Sequence, residues 1–179
     1  MFERLAPWLS ALLLVGAADA ALAPPGASAE AHAAKGRMTL VRTPRSLPLS
    51  GDAIWELQLS VPGQPLRSYE AVVGRAGRQG GDRHRLGSQA PLPQGRYRVS
   101  EIEPVLEGED PELGRYGWIG LEPQFPSARR GLGIHHDPSA GRGRRSGTDG
   151  CIGLIHGNDL LVLVDLLRRR GIRDLEVRD

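Results

Sequence analysis

The sequence Gly147-Thr148-Asp149-Gly150-Cys151-Ile152-Gly153-Leu154 contains the only cysteine of this 179-residue chain. Glycines flank the thiol on both sides, and such backbone lets another molecule come close. His135 precedes the cysteine by 16 residues, in the segment Leu132-Gly133-Ile134-His135-His136. A thiol and an imidazole are the pair that a cysteine acyl-transfer enzyme needs, because the imidazole can take the thiol proton. We expect the glycines to keep Cys151 out of a core strand.

Residues 1–29 have the layout of a secretory signal peptide. A short charged start is followed by an apolar stretch from Ala6 to Ala18 and by small-residue sites of the A-x-A type. The apolar stretch is too short for a comfortable membrane span. We expect cleavage after Ala20 or Ala29, with an uncleaved N-terminal anchor as the alternative and the only link to a membrane. Either route exports the protein to the periplasm or cell envelope.

In an exported protein, cysteines usually form disulfides in pairs. A single cysteine cannot close an internal disulfide, so Cys151 must be buried and inert, paired with another chain, or reactive. Its glycine neighbours favour the reactive thiol.

Composition indicates one turn-rich domain after a linker at residues 30–37. The chain has 24 glycines and 14 prolines, only 4% aromatic residues and a formal charge of +2. A charge this small does not indicate a nucleic-acid partner, and no zinc-ligand spacing or phosphate-binding glycine loop is present. We therefore expect no nucleic acid, metal or cofactor for the domain at residues 38–179. No pattern indicates an oligomeric state.

Hydrophobic alternation predicts a mainly β fold, a β-rich α+β domain. Residues 53–61 are the best strand, since they alternate from Trp55 onward, and the turn at residues 62–65 makes a hairpin with the next strand. The predicted strands are 38–42, 53–61, 68–73, 97–102, 116–121, 132–135 and 175–177.

One principal helix is predicted after the cysteine. Asn158 is a good N-cap, and Asp159 follows at the positive end of the helix dipole. Leucines and valines supply an apolar face, arginines occupy residues 168–170, and Gly171 is placed to end the helix. A β-branched core strand at residues 160–164 is the competing prediction, which the cap and stop signals disfavour.

These segments, in this order, resemble the active-site signature of the L,D-transpeptidases of the YkuD type. That signature is a histidine, a loop, Ser or Thr, any residue, then Gly-Cys and an apolar residue. The matching positions are His135, Thr148, Gly150, Cys151 and Ile152, although the loop is slightly short. Upstream, residues 91–99 resemble the family's Thr-Pro-x-Gly-x-Tyr/Phe segment, and Asn158-Asp159 also fits the family.

The resemblance implies a β-sandwich or mixed sheet that acts on peptidoglycan stem peptides. Cys151 would be the nucleophile and His135 the base, and a second stem peptide would accept the acyl group to give a 3→3 cross-link. Gly150, Thr148 and His136 are the candidate oxyanion and substrate-binding residues. His136 is also the rival base, but adjacent strand residues point to opposite faces, so only one histidine can face the thiol.

The chain departs from the family pattern at two positions. Asp149 stands where many members have histidine, and Gly153 stands where many have arginine. Neither position supplies the nucleophile or the base, so the departures concern the substrates. An L,D-carboxypeptidase, which passes the acyl group to water, is one alternative; a non-catalytic wall-binding domain is the other.

Overall fold

The structure is a computed structural model that describes residues 35–105, 111–143 and 146–179. The predicted signal peptide at residues 1–29 and all but the last three residues of the predicted linker lie outside the described residues. Within the described ranges, no helix is both long enough and apolar enough to cross a membrane.

The described residues form eight strands and one α-helix, with a single 3₁₀ turn after the third strand. The elements are β1 (Arg37–Ser46), β2 (Ala53–Ser60), β3 (Arg67–Arg75), the 3₁₀ turn (Ala76–Arg78), β4 (Gly95–Glu103), β5 (Trp118–Pro123), β6 (Leu132–His136), β7 (Gly147–Leu154), α1 (Gly157–Arg170) and β8 (Asp174–Arg178).

The strands close into one barrel with the neighbour order β1-β2-β3-β7-β6-β5-β4-β8. Two neighbouring pairs, β1–β8 and β6–β7, are parallel, and the other pairs are antiparallel. The prediction of a mainly β fold with a mixed sheet and one helix after the cysteine is confirmed. The sheet curls into a closed barrel instead of two stacked sheets because the first and last strands pair with each other.

The core of the barrel follows the alternation seen in the sequence. On β2 the side chains of Trp55, Leu57 and Leu59 are buried, whereas Glu56 and Gln58 between them are partly exposed. β2 pairs with β3 as the predicted hairpin partner. Alternate inward side chains therefore fill the interior, and the outward positions are left for other elements to cover.

The strand that carries the cysteine, β7, is absent from the sequence prediction. Its inward residues Ile152 and Leu154 are fully buried, so Cys151 and Gly153 face the outside of the barrel. Gly147 and Gly150 have φ values of +89° and +115°, which L side chains rarely adopt. The glycines therefore belong to the strand itself: they let it kink and lie close to its neighbours.

The helix begins earlier than predicted. α1 starts at Gly157, and its N-cap is the extended residue His156, not Asn158. The first turn closes there because the Asp159 N–H donates to the His156 carbonyl at 3.0 Å. The end is as predicted, since Gly171 takes the left-handed conformation with φ of +62° after three arginines.

We predict that the apolar face of α1 contributes much of the free energy of unfolding. Leu163 is fully buried, and its neighbour Leu161 is 46% exposed. Leu163→Ala should destabilise the protein by about 2–5 kcal/mol because it leaves a cavity. Leu161→Ala, the matched control, should stay within about 0.5 kcal/mol. Urea denaturation checks both, and equal losses would show that the helix does not pack as described.

Candidate active site

The parallel pairing of β6 with β7 brings Cys151 and His135 to the same outer face of the barrel. His135 lies opposite Gly153 in the register, and Cys151 is two residues before Gly153 on the same face. Strand spacing and rise then place the two α-carbons roughly 8 Å apart. Both residues line one cavity of about 780 Å³. The structure thus brings together the two residues predicted as nucleophile and base.

His135 is held firmly, with only 3% of its surface exposed. Its Nδ1 lies 2.9 Å from the backbone carbonyl oxygen of His136. A carbonyl can only accept, so Nδ1 must donate, and in the neutral ring Nε2 is then the basic nitrogen. The ring also stacks on Trp118, with centroids 6.1 Å apart and planes 27° apart. These contacts hold the tautomer and orientation that a general base requires.

The Cys151 thiol is half-buried beside the start of β6. It donates to the carbonyl of Gly131 with Sγ and O 3.5 Å apart. Burial raises the pKa of Cys151 to about 11, while the Gly133 N–H and the Arg129 charge act in the opposite direction. At neutral pH the resting sulfur is therefore protonated, so a base must remove the proton during attack.

The Thr148 hydroxyl holds the backbone around the cysteine. Oγ1 donates to the Cys151 carbonyl at 2.6 Å and accepts from the N–H groups of Gly74 and Gly150 at 3.1 and 3.2 Å. The Gly150 N–H is bonded to Thr148 in this arrangement, and the oxyanion role of Gly150 stays a prediction. Thr148 lines the cavity, but its hydroxyl is engaged in hydrogen bonds with backbone groups.

His136 lies on the opposite face of β6 from His135. Its ring contacts Tyr116 with centroids 6.1 Å apart, and it is absent from the described residues that line the cavity. Burial lowers the pKa of His136. His136 therefore faces away from the thiol, as the alternation of side chains along a strand requires, and its role in binding substrate stays a prediction.

Asp149, which replaces the family's histidine, lies at the rim of the cavity. Its side chain is 57% exposed and forms an ion pair with Arg75 at 3.0 Å. The Gln89 side-chain amide donates to it at 2.9 Å. The departure at this position therefore puts a carboxylate and its arginine partner at the entrance to the cavity.

Gly153, which replaces the family's arginine, is covered by Asp137. A Cβ at Gly153 would lie 2.6 Å from the Asp137 Cβ and 2.8 Å from the Thr148 Cγ2. Asp137 is 4% exposed and lines the cavity, and its Oδ1 accepts from the Ser139 N–H and hydroxyl at 2.8 and 2.7 Å. Asp137 was not among the predicted site residues; it directly follows the end of β6, two residues after His135.

Arg129 is the second residue that sequence reasoning missed. It precedes β6, is 3% exposed, and donates from Nη2 to the Asp149 carbonyl at 3.0 Å. Nothing local in the sequence distinguishes it from the other arginines, because the partner that buries it lies 20 residues away.

Comparison with known proteins gives one match. A family model described as the YkuD L,D-transpeptidase catalytic domain matches residues 56–172. No curated protein and no solved structure is significantly similar to the chain. The matched range runs from β2 through α1 and contains both His135 and Cys151. β1 and β8 lie outside the matched range, yet their pairing closes the barrel.

We predict that position 153 does not accept a side chain. Gly153→Ala should destabilise the protein by about 1–3 kcal/mol because the new methyl overlaps Asp137 and Thr148. Gly77→Ala is the matched control, since nothing lies within 4 Å of a Cβ there. Thermal unfolding of the two variants measures the difference. A Gly153→Ala variant as stable as Gly77→Ala would show that Asp137 does not lie over the glycine.

Proposed function

Because the chain belongs to the YkuD family of L,D-transpeptidase catalytic domains, we propose that it forms 3→3 cross-links in peptidoglycan. Cys151 is the nucleophile and His135 the general base. The observation that carries the proposal is the placement of both side chains on one face of two paired strands, in one cavity.

In the first half-reaction, Cys151 attacks the carbonyl between meso-diaminopimelate and the following D-Ala of a donor stem peptide. His135 accepts the thiol proton as the carbon–sulfur bond forms. The tetrahedral intermediate then collapses, and the carbon–nitrogen bond breaks. D-Ala leaves with the proton returned by His135, and the stem tripeptide stays on Cys151 as a thioester.

In the second half-reaction, the side-chain amine of a second stem peptide attacks the thioester. His135 takes a proton from the amine and returns it to the sulfur as the carbon–sulfur bond breaks. An amide between the two stems forms, and the thiol is regenerated. If water attacks instead, the product is a tripeptide with a free carboxylate.

The negative charge that develops on the carbonyl oxygen requires hydrogen-bond donors held in advance. The Gly150 N–H is engaged by Thr148, so we propose the Cys151 N–H as a donor to the oxyanion. Thr148 supports it indirectly by bonding the Cys151 carbonyl.

The substrate also implies the place of action. Peptidoglycan lies outside the cytoplasmic membrane, so we propose that residues 1–29 direct export to the periplasm or cell envelope. The sequence pattern of a signal peptide supports this proposal.

We predict that the purified protein converts disaccharide-tetrapeptide muropeptides into 3→3-linked dimers. Cys151→Ala should form none, while its thermal unfolding stays close to that of the wild type because hydrogen bonds to the thiol, such as those with Gly131 and Gly133, are weak. Liquid chromatography with mass spectrometry measures the products. Tripeptides without dimers would identify a carboxypeptidase, and no product from a folded protein whose Cys151 does not react with iodoacetamide would indicate a wall-binding domain.

We predict that the two adjacent histidines differ in their effect. His135→Ala should lower kcat by about 10²–10⁴-fold because the general base is lost. His136→Ala keeps the backbone carbonyl that holds His135, so it should retain most of the activity. Steady-state rates of D-Ala release from a tetrapeptide compare the variants. The reverse order of effects would assign the base to His136.

A further inference from the structure

Arg129 is a buried cation that packs against the backbone before Cys151. Only 3% of its surface is exposed. Nη1 donates to the carbonyls of Arg83 and Ala90 and to the Ser88 hydroxyl, at 3.2, 3.4 and 3.2 Å, and Nη2 donates to the Asp149 carbonyl at 3.0 Å. All four acceptors are uncharged, so these bonds solvate the guanidinium without neutralising it.

The guanidinium occupies the space that a side chain at Gly150 would need. A Cβ at Gly150 would overlap Nη2 and would lie 2.8 Å from Cζ. Arg129 therefore lies directly over the residue before the nucleophile. Any larger residue at position 150 would displace the charge from this place.

The residues that follow Arg129 form hydrogen bonds with the sulfur of Cys151. The Gly131 carbonyl accepts from the thiol at 3.5 Å, and the Gly133 N–H is directed at Sγ and lowers its pKa. One short segment thus carries the cation, a hydrogen-bond acceptor and a donor to the same thiol.

The charges around the thiol act in opposite directions. Arg129 favours the thiolate, whereas Asp149 on the same strand and Glu112 across the cavity disfavour it. Asp149 is partly neutralised by its ion pair with Arg75. Reciprocally, burial lowers the pKa of Arg129, and Cys151 is the largest of the charges that raise it again. His135 on β6 and Asp137 just after it are further titratable groups that line the same cavity, as are Arg75 and Arg78.

We propose that Arg129 is a positioning residue for the nucleophile: it holds the Asp149–Gly150 backbone and supplies the positive charge that stabilises the Cys151 thiolate. Many family members have an arginine two residues after the cysteine, but position 153 has no room for one here. Arg129 instead places a cation near the nucleophile from the segment before β6. The proposal rests on the function assigned to Cys151 above.

The test measures the thiol itself, without substrate. The rate of Cys151 alkylation by iodoacetamide is followed against pH by intact-protein mass spectrometry, for wild type, Arg129→Gln, Arg129→Met and Arg129→Lys. Below the thiol pKa this rate is proportional to the thiolate fraction. Loss of the charge should raise the pKa by about one unit, as expected for a lost neighbouring cation. The rate at about pH 8 should then fall about ten-fold in the two neutral variants.

Two results separate the effect of the Arg129 charge from the effect of its packing. They are the alkylation rate of Arg129→Lys and the direction in which the rate changes in the neutral variants. Arg129→Lys keeps the charge, so its rate should return toward that of the wild type. If Arg129 only packs, its loss should expose the thiol and raise the rate. Thermal unfolding shows that each variant is folded. A folded neutral variant with an unchanged or faster rate, or a lysine variant as slow as the neutral ones, would overturn the proposal.

A second arm uses Asp149, an exposed position. Asp149→Asn removes a negative charge that opposes Arg129, so alkylation should become faster. An unchanged alkylation rate would also overturn the proposal, since it would mean that a charge at position 149 does not affect the stability of the Cys151 thiolate. Because alkylation needs no turnover, a protein without transpeptidase activity still answers the question. An active protein with an unshifted thiol pKa would exclude only the role of Arg129.

Discussion

The parallel pairing of β6 with β7 is the constraint on which the site depends. It gives His135 and Cys151 the same outer face while Ile134 and Ile152 fill the interior of the barrel. A shift of one residue in this register would turn either side chain away from the other. The closed barrel makes such a shift costly, since both strands have a second hydrogen-bonded neighbour. The relative position of the candidate nucleophile and base is therefore fixed by the core.

Glycines determine how the outer face of these strands packs. Three glycines leave space that a larger residue from a neighbouring element fills: Trp118 lies over Gly133, Arg129 over Gly150 and Asp137 over Gly153. Each of the three side chains lies close to the candidate nucleophile or base. At position 153 a carboxylate thus covers the strand, and at position 150 a cation lies over it.

The structural features that the sequence predicts are those that depend on residues close together in the chain. Trp55 to Leu59 alternate as a strand, and Gly171 ends the helix as expected. The candidate nucleophile and base were recognised from the spacing and flanks of Cys151 and His135. β7 was missed because its glycines resemble a loop, and only pairing with β3 and β6 makes them a strand. Asp137 and Arg129 were missed because their burial depends on residues distant in the chain, as does the β1–β8 pairing that closes the barrel.

The central claim, that Cys151 carries the stem peptide as a thioester, is tested most directly by intact-protein mass spectrometry within the first turnover. The protein is mixed with a disaccharide-tetrapeptide and quenched in acid. We expect a mass gain equal to the substrate less D-Ala, located on Cys151, with an equal amount of D-Ala released. Release of D-Ala with no acyl group on Cys151, at a rate that Cys151→Ala retains, would contradict it.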